Sequence, residues 1–165
     1  MNIRHDRDSR NADRFSLKIR NPKGGTPTLT YWGSNCEYDR LTDVLLGPVE
    51  NYRWLKTSSL SKKSIRRGEV FDINIATEQY EEMVSAYSSA GVNVHLLEND
   101  PELPYQVFAR DSSFMTPFGA VITNMAQPWR KGENFRAIET YSRLNIPIYD
   151  FITAGTFEGG DFNIV

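Results

Sequence analysis

The sequence predicts an α/β fold built on a repeated strand–strand–helix–strand unit. Three observations carry this. Two helix-to-strand junctions, at Gly91 and Asn145, stand 54 residues apart. Each follows an amphipathic helical stripe and precedes an apolar run of strand length. Residues 152–165 then begin the pattern a third time. Repeats of this period imply a radial or stacked architecture.

The elements follow in order. Residues 1–30 are dense in Arg and Asp and poor in apolar positions, and residues 21–27 carry Asn, Pro and Gly loop chemistry. They are expected to form a flexible N-terminal extension, with the folded domain over residues 31–165. Residues 41–46 are a short apolar run ended by Gly47 and Pro48, hence a buried strand. Residues 56–70, rich in Ser, Lys and Arg, predict an exposed loop. A helix capped by Thr77 presents Tyr80, Met83, Val84 and Tyr87 on one face, and Gly91 ends it. Residues 92–97 follow as a strand. Residues 106–115 and 119–123 predict two strands joined by a hairpin break at Thr116, Pro117, Phe118 and Gly119. Residues 133–144 predict a helix with Phe135, Ile138 and Tyr141 or Leu144 inward. Asn145 stops it, and residues 146–151 form a strand in which Pro147 sits at an edge or at the start. Residues 162–165 begin a further apolar strand. The sequence stops inside it, so the expectation is that these residues are part of a longer protein.

Composition narrows the function. The 165 residues are 39% hydrophobic and 24% charged, enough for one ordinary globular core. A net charge of −2 gives no reason to expect a nucleic-acid partner. No apolar run reaches membrane-spanning length, and the N-terminus lacks the apolar centre of a signal peptide. The single cysteine, Cys36, rules out an internal disulfide and fits a reducing cytoplasm. Without a CxxC pair or a His-rich cluster, no metal is expected. His95 alternates with Val94 and Leu96 and is expected to face solvent.

Four places carry chemistry. Phe108, Ala109, Arg110 and Asp111 end a predicted strand, where Asp111 either pairs locally with Arg110 or serves a site. Trp129, Arg130, Lys131, Gly132 and Glu133 enter a helix, where Arg130 either lies in a solvated basic loop or grips a carboxylate. Glu158, Gly159, Gly160 and Asp161 place two carboxylates around a flexible pair, as a turn, a calcium loop or the rim of a cation site. Cys36 is either a nucleophile or a small buried residue.

Taken in order, these clusters resemble the guanidino-group-modifying enzymes, the superfamily of arginine deiminase, dimethylarginine dimethylaminohydrolase and the amidinotransferases. The resemblance runs from about Ser34 to Val165. Asn35 to Leu46 is similar to that superfamily's opening strand, Phe108 to Asp111 to its F-x-R-D, Trp129 to Glu133 to its R-R-x-E, and Gly155 to Asp161 to its G-T-x-E-G-G-D. The resemblance implies a pseudo-five-fold α/β propeller (pentein) of ββαβ repeats, of which this chain supplies about two and the start of a third.

The resemblance also implies a chemistry: thiolate attack on the central carbon of a guanidinium, in arginine or a substituted arginine, without cofactor or metal. It places the catalytic histidine and cysteine beyond Val165, so the 165 residues alone are expected to be inactive. Cys36 falls where the superfamily carries serine and is not the nucleophile. By motif, Asp111 and Glu158 grip the guanidinium, and Glu158 also orients the histidine. Arg130 binds the substrate's α-carboxylate and Phe108 walls the pocket. Asp161 is grouped with the substrate-binding residues, although bonding within its own turn is the weightier reading. Hydrolysis is the first reading and arginine:amine amidinotransfer the second. A non-catalytic binding propeller is a third reading. Tyr105 stands where some dimethylaminohydrolases carry a substrate-binding aspartate, which points away from methylated arginine. The expected partner is a small guanidino substrate, with self-association into a homo-oligomer also open.

Overall fold

The computed structural model describes residues 33–57 and 59–164. The expected extension over residues 1–30 lies outside these. The first strand, β1 (Asp43–Leu46), is the predicted apolar run. The segment expected to be an open loop instead holds a helix, α1 (Ser59–Arg66). Its polarity suggested a loop, but it contains neither Gly nor Pro. Lys63 and Arg66 sit in its last turn, where cations face the free carbonyls. None of its residues is buried, which is why its composition reads as loop.

The long helix α2 (Ile73–Ser89) starts four residues before the predicted cap. Asp72 caps it, its carboxylate accepting from the backbone N–H groups of Asn74 at 2.9 Å and Ile75 at 3.4 Å. Thr77 lies inside the helix and returns its hydroxyl to the Ile73 carbonyl. Of the predicted stripe, Tyr80, Val84 and Tyr87 are half-buried and Met83 is exposed. Strand β2 (Asn93–Leu96) follows and runs parallel to β1, Asp43 opposite Asn93 and Leu46 opposite Leu96. Among the described residues this first unit is therefore strand–helix–helix–strand, with α1 where the repeat predicts a second strand.

The second unit shows all four of its elements. A single helical turn, α3 (Ala109–Ser112), precedes β3 (Ser113–Thr116), so the predicted strand over residues 106–115 holds only in its last third. The reason lies in Gln106, which is fully buried and spends its amide locally. Its Oε1 accepts from Asp100 N and its Nε2 donates to the Glu98 carbonyl, so this stretch closes a loop and cannot extend into a ladder. Strand β3 pairs antiparallel with β4 (Gly119–Ile122) across a two-residue turn at Pro117 and Phe118. Gly119 has φ 131°, and a side chain there would collide with the Pro147 carbonyl that receives the Ala120 N–H.

A 3-10 turn (Pro128–Arg130) leads into α4 (Glu133–Arg143), and Asn145, at φ 53°, ends the helical run. The inward face of α4 is Glu133, Ala137, Thr140 and Tyr141, whereas Phe135, predicted inward, is 70% exposed. The helix is rotated because its first turn must bury Glu133. Strand β5 (Ile148–Phe151) then pairs parallel with β4, just after Pro147, which gives a three-stranded sheet in the order β3-β4-β5. The core joins both sheets through Leu45, Leu97, Met115, Ile122, Tyr141 and Ile146. Residues 162–164 belong to no strand among the described residues; Phe162 instead stacks on Phe114 at 4.1 Å. No helix among the described residues is long and apolar enough to cross a membrane.

Candidate active site

Arg130 is the centre of the site. The 3-10 turn Pro128–Arg130 delivers its side chain inward, and the residue is only 7% exposed. A buried guanidinium is costly unless its donors are met by carboxylates. Glu133, three residues on and at the first position of α4, meets two of them. Its Oε1 accepts from Arg130 Nε at 2.9 Å and its Oε2 from Nη2 at 2.8 Å. Asp111 Oδ2 accepts from Nη1 at 2.9 Å. Five N–H donors minus these three leaves one on each terminal nitrogen. Desolvation pulls the Arg130 pKa down, but the bonds and charges of Glu133 and Asp111 outweigh it and hold it above the usual arginine value.

The turn that carries Glu158 reaches this centre through the glycine pair. The 3-10 turn Gly159–Asp161 packs on α3, and a side chain at Gly159 would overlap the carbonyl oxygen of Arg110. A Cβ at Gly160 would lie 3.3 Å from Asp111 Oδ1, so that oxygen faces the turn while Oδ2 faces Arg130. Glu158, half-buried, opens the turn. Burial pushes the Glu133 carboxyl up against the opposing pull of Arg130, and the negative charges of Asp111 and Glu158 push it further. Two carboxylates, Glu133 and Asp111, thus hold the guanidinium, and the charge of Glu158 is felt at Glu133.

Two aromatic rings close the other side. The rings of Phe108 and Tyr105 lie with their centroids 5.7 Å and 5.8 Å from Arg130 Cζ, within cation–π range. Phe108 is 46% exposed, so part of the ring is open to an incoming group. Tyr52 meets the Phe108 ring edge-on at 5.8 Å, and the Tyr105 hydroxyl accepts the Leu55 N–H.

The structure therefore brings Phe108, Asp111, Arg130 and Glu158 to one corner. Asp161 is exposed and its Oδ2 accepts the Glu158 N–H at 3.3 Å, a bond within the turn. Arg110 does not pair with Asp111; it lies 3.5 Å from Glu37 and donates to the Phe162 carbonyl. Cys36 is buried and its carbonyl accepts the Ser34 hydroxyl. His95, expected to face solvent, instead lies 2.9 Å from the buried carboxylate of Asp43 on the β1–β2 sheet. Glu133, Tyr105 and Tyr52 have no site role in the sequence reading. A glutamate three residues after an arginine at a helix start was the available signal for Glu133. The sequence marks Tyr105 only as standing where some related enzymes carry an aspartate, and Tyr52, from a distant segment, leaves no signal. A shallow concavity on the open face of α2, lined by Glu78, Glu82 and Ser89, holds none of these side chains. No group of three or more His, Cys, Asp or Glu among the described residues is arranged to hold a metal ion.

Residues 56–162 match the family described as N,N dimethylarginine dimethylhydrolase, eukaryotic. The chain belongs to that family. Among its relatives, the protein YkgA of Bacillus subtilis (strain 168) is 29% identical over 125 residues, covering 76% of this chain and 43% of YkgA. A protein of Aeropyrum pernix is 29% identical over 104 residues, which is 62% of this chain and 38% of the relative. The chain thus spans less than half the length of the curated relatives it matches. The structure of the dimethylarginine dimethylaminohydrolase from Pseudomonas aeruginosa in complex with citrulline superposes with a TM-score of 0.59 at 26% identity, over 73% of this chain and 45% of that one. AgrE in complex with L-arginine superposes at 0.61 over 71% of this chain and 17% of AgrE; at 18% identity it shows the shared fold alone. Within the dimethylarginine dimethylhydrolase family, the matched stretch contains Tyr105, Phe108, Asp111, Arg130, Glu133 and Glu158.

Proposed function

We propose that the whole protein is a hydrolase of the guanidino group of arginine or a substituted arginine, built on the pentein propeller of ββαβ units. The observation that carries this reading is the division of Asp111. One oxygen is committed to Arg130 and the other is turned toward the Glu158 turn. A planar guanidinium entering there finds acceptors on two carboxylates, the arrangement that bidentate recognition requires. The family match and the likeness to a citrulline complex support the same chemistry.

In this mechanism Asp111 and Glu158 hold the substrate guanidinium, and Phe108 covers it with the open part of its ring. The two N–H groups that Arg130 does not spend on Glu133 and Asp111 receive the α-carboxylate of the amino-acid substrate. A thiolate adds to the guanidinium carbon, an amine leaves with a proton from an imidazole that Glu158 orients, and water releases citrulline from the covalent intermediate. On the resemblance above, thiolate and imidazole come from beyond Val165. A purely structural domain has no use for carboxylates converging on a buried arginine with one oxygen left facing outward. The test is product analysis of the whole protein supplied with arginine and with dimethylated arginine. Citrulline is the expected product; ornithine together with an amidino-transfer product, or no turnover of either substrate, would overturn the hydrolase reading.

A further inference from the structure

We infer that Glu133 is a positioning residue of this site, acting on the substrate only through Arg130. This rests on the reading of Asp111 and Glu158 as the guanidinium clamp. Glu133 is 1% exposed and meets Arg130 along one edge of the guanidinium, through Nε and Nη2. That choice of edge decides where the rest of the guanidinium points. Nη1 is turned to Asp111 Oδ2, and Asp111 Oδ1 is thereby turned to the Glu158 turn. The same grip leaves one N–H on each terminal nitrogen for a substrate carboxylate.

The position of Glu133 suits this work and little else. It is the first residue of α4, where helix N–H groups favour a negative charge. It is three residues from Arg130, so the two are locked across the junction between the 3-10 turn and the helix. The rings of Tyr105 and Phe108 hold the guanidinium from outside, which keeps it from rotating out of the carboxylate plane. Take Glu133's charge away and Arg130 has a nearer use for its free donors. It can turn the same edge to Asp111 and take both oxygens, occupying the acceptors that the substrate needs. Glu133 thus keeps the chain's own guanidinium from closing the site against the substrate's.

The experiment compares Glu133→Gln, Arg130→Ala, the double variant Arg130→Ala/Glu133→Gln and Glu158→Gln in the whole protein, with arginine and with agmatine, which lacks the carboxylate. Misplacing a group by about an ångström costs on the order of 100-fold, so Glu133→Gln is expected to lower kcat/KM for arginine by about that factor. It is expected to lower agmatine turnover as well, because Arg130 then covers Asp111. Adding Arg130→Ala to Glu133→Gln is expected to raise agmatine turnover above that of Glu133→Gln alone, since the intruding guanidinium is gone. A merely structural glutamate would show no such rescue. Should Glu133→Gln fail to fold, the double variant, which leaves no unpaired buried charge, still decides the matter by its agmatine rate relative to Arg130→Ala: equal rates support the inference and a further loss overturns it. Unchanged kinetics in Glu133→Gln, or no rescue in the double variant, also overturns it. Glu158→Gln separates the two levels of the argument: if that variant keeps full activity, the clamp itself is wrong, whatever Glu133 does.

Discussion

Arg130 shows how one residue draws a site together. Its guanidinium cannot stay buried without carboxylates, and it collects them from α3 and α4. Asp111 then faces two ways, and the turn that Glu158 opens is brought against it through Gly160, although 47 residues separate Asp111 from Glu158 in sequence. Replacing Glu158 by Gln keeps the shape and removes the charge. It is expected to cost the whole protein about 2–4 kcal/mol of transition-state stabilisation, the range for one preorganised electrostatic contact. An unchanged turnover rate would refute the assignment. Arg130→Ala tests the substrate side. A strong rise in KM for arginine with a clearly smaller loss on agmatine, whose clamp loses only the Arg130–Asp111 bond, is the expected outcome; equal loss on both substrates would mean that Arg130 does not anchor a carboxylate.

At the scale of elements, Arg136 joins helix to loop outside the site. Arg136 on α4 donates from Nη2 to Asp100 Oδ2 at 3.0 Å, in the segment after β2, and from Nη1 to Glu139 at 2.9 Å. The Glu102 backbone N–H and then Arg136 hold the Asp100 carboxyl below its usual range. A carboxyl depressed by folding contributes stability above its unfolded pKa, about 4, and loses that contribution as pH falls through the folded value. Asp100→Asn is therefore expected to lower the urea midpoint at neutral pH. The difference from the parent should close as pH drops below about 4. A deficit that persists unchanged into acid would show that Asp100 acts through shape and not charge.

For the whole molecule, the sheets are small. Among the described residues β1 and β2 form a two-stranded sheet, so each is an edge there, and β5 is an edge of the three-stranded sheet. Leu96 on β2 and Phe151 on β5 are both 48% exposed. Open edges with apolar side chains pair with other chains, and a two-stranded sheet is marginal alone. The purified 165-residue chain is expected to self-associate, its sedimentation coefficient rising with concentration, and to release no citrulline from arginine. A monomer at all concentrations, or citrulline well above the buffer background, would contradict this.

The residues by themselves determined the α/β character, the helix stops at Gly91 and Asn145, the hairpin at Pro117 and Phe118, and the grouping of Phe108, Asp111, Arg130 and Glu158. Each is a local matter: left-handed backbone, strand-length apolar runs, or a short motif with its own chemistry. Where tertiary contacts compete with local preference, the sequence was silent or misleading. Gln106 is pinned by Asp100 and Glu98, so the strand before Asp111 becomes a turn. Glu133 must be buried with Arg130, so α4 rotates and Phe135 faces out. Which edge of Arg130 is taken, and hence which oxygen of Asp111 faces away from it, depends on three segments meeting at once. No single stretch of sequence contains that information; the packing of α3, α4 and the Gly159–Asp161 turn supplies it.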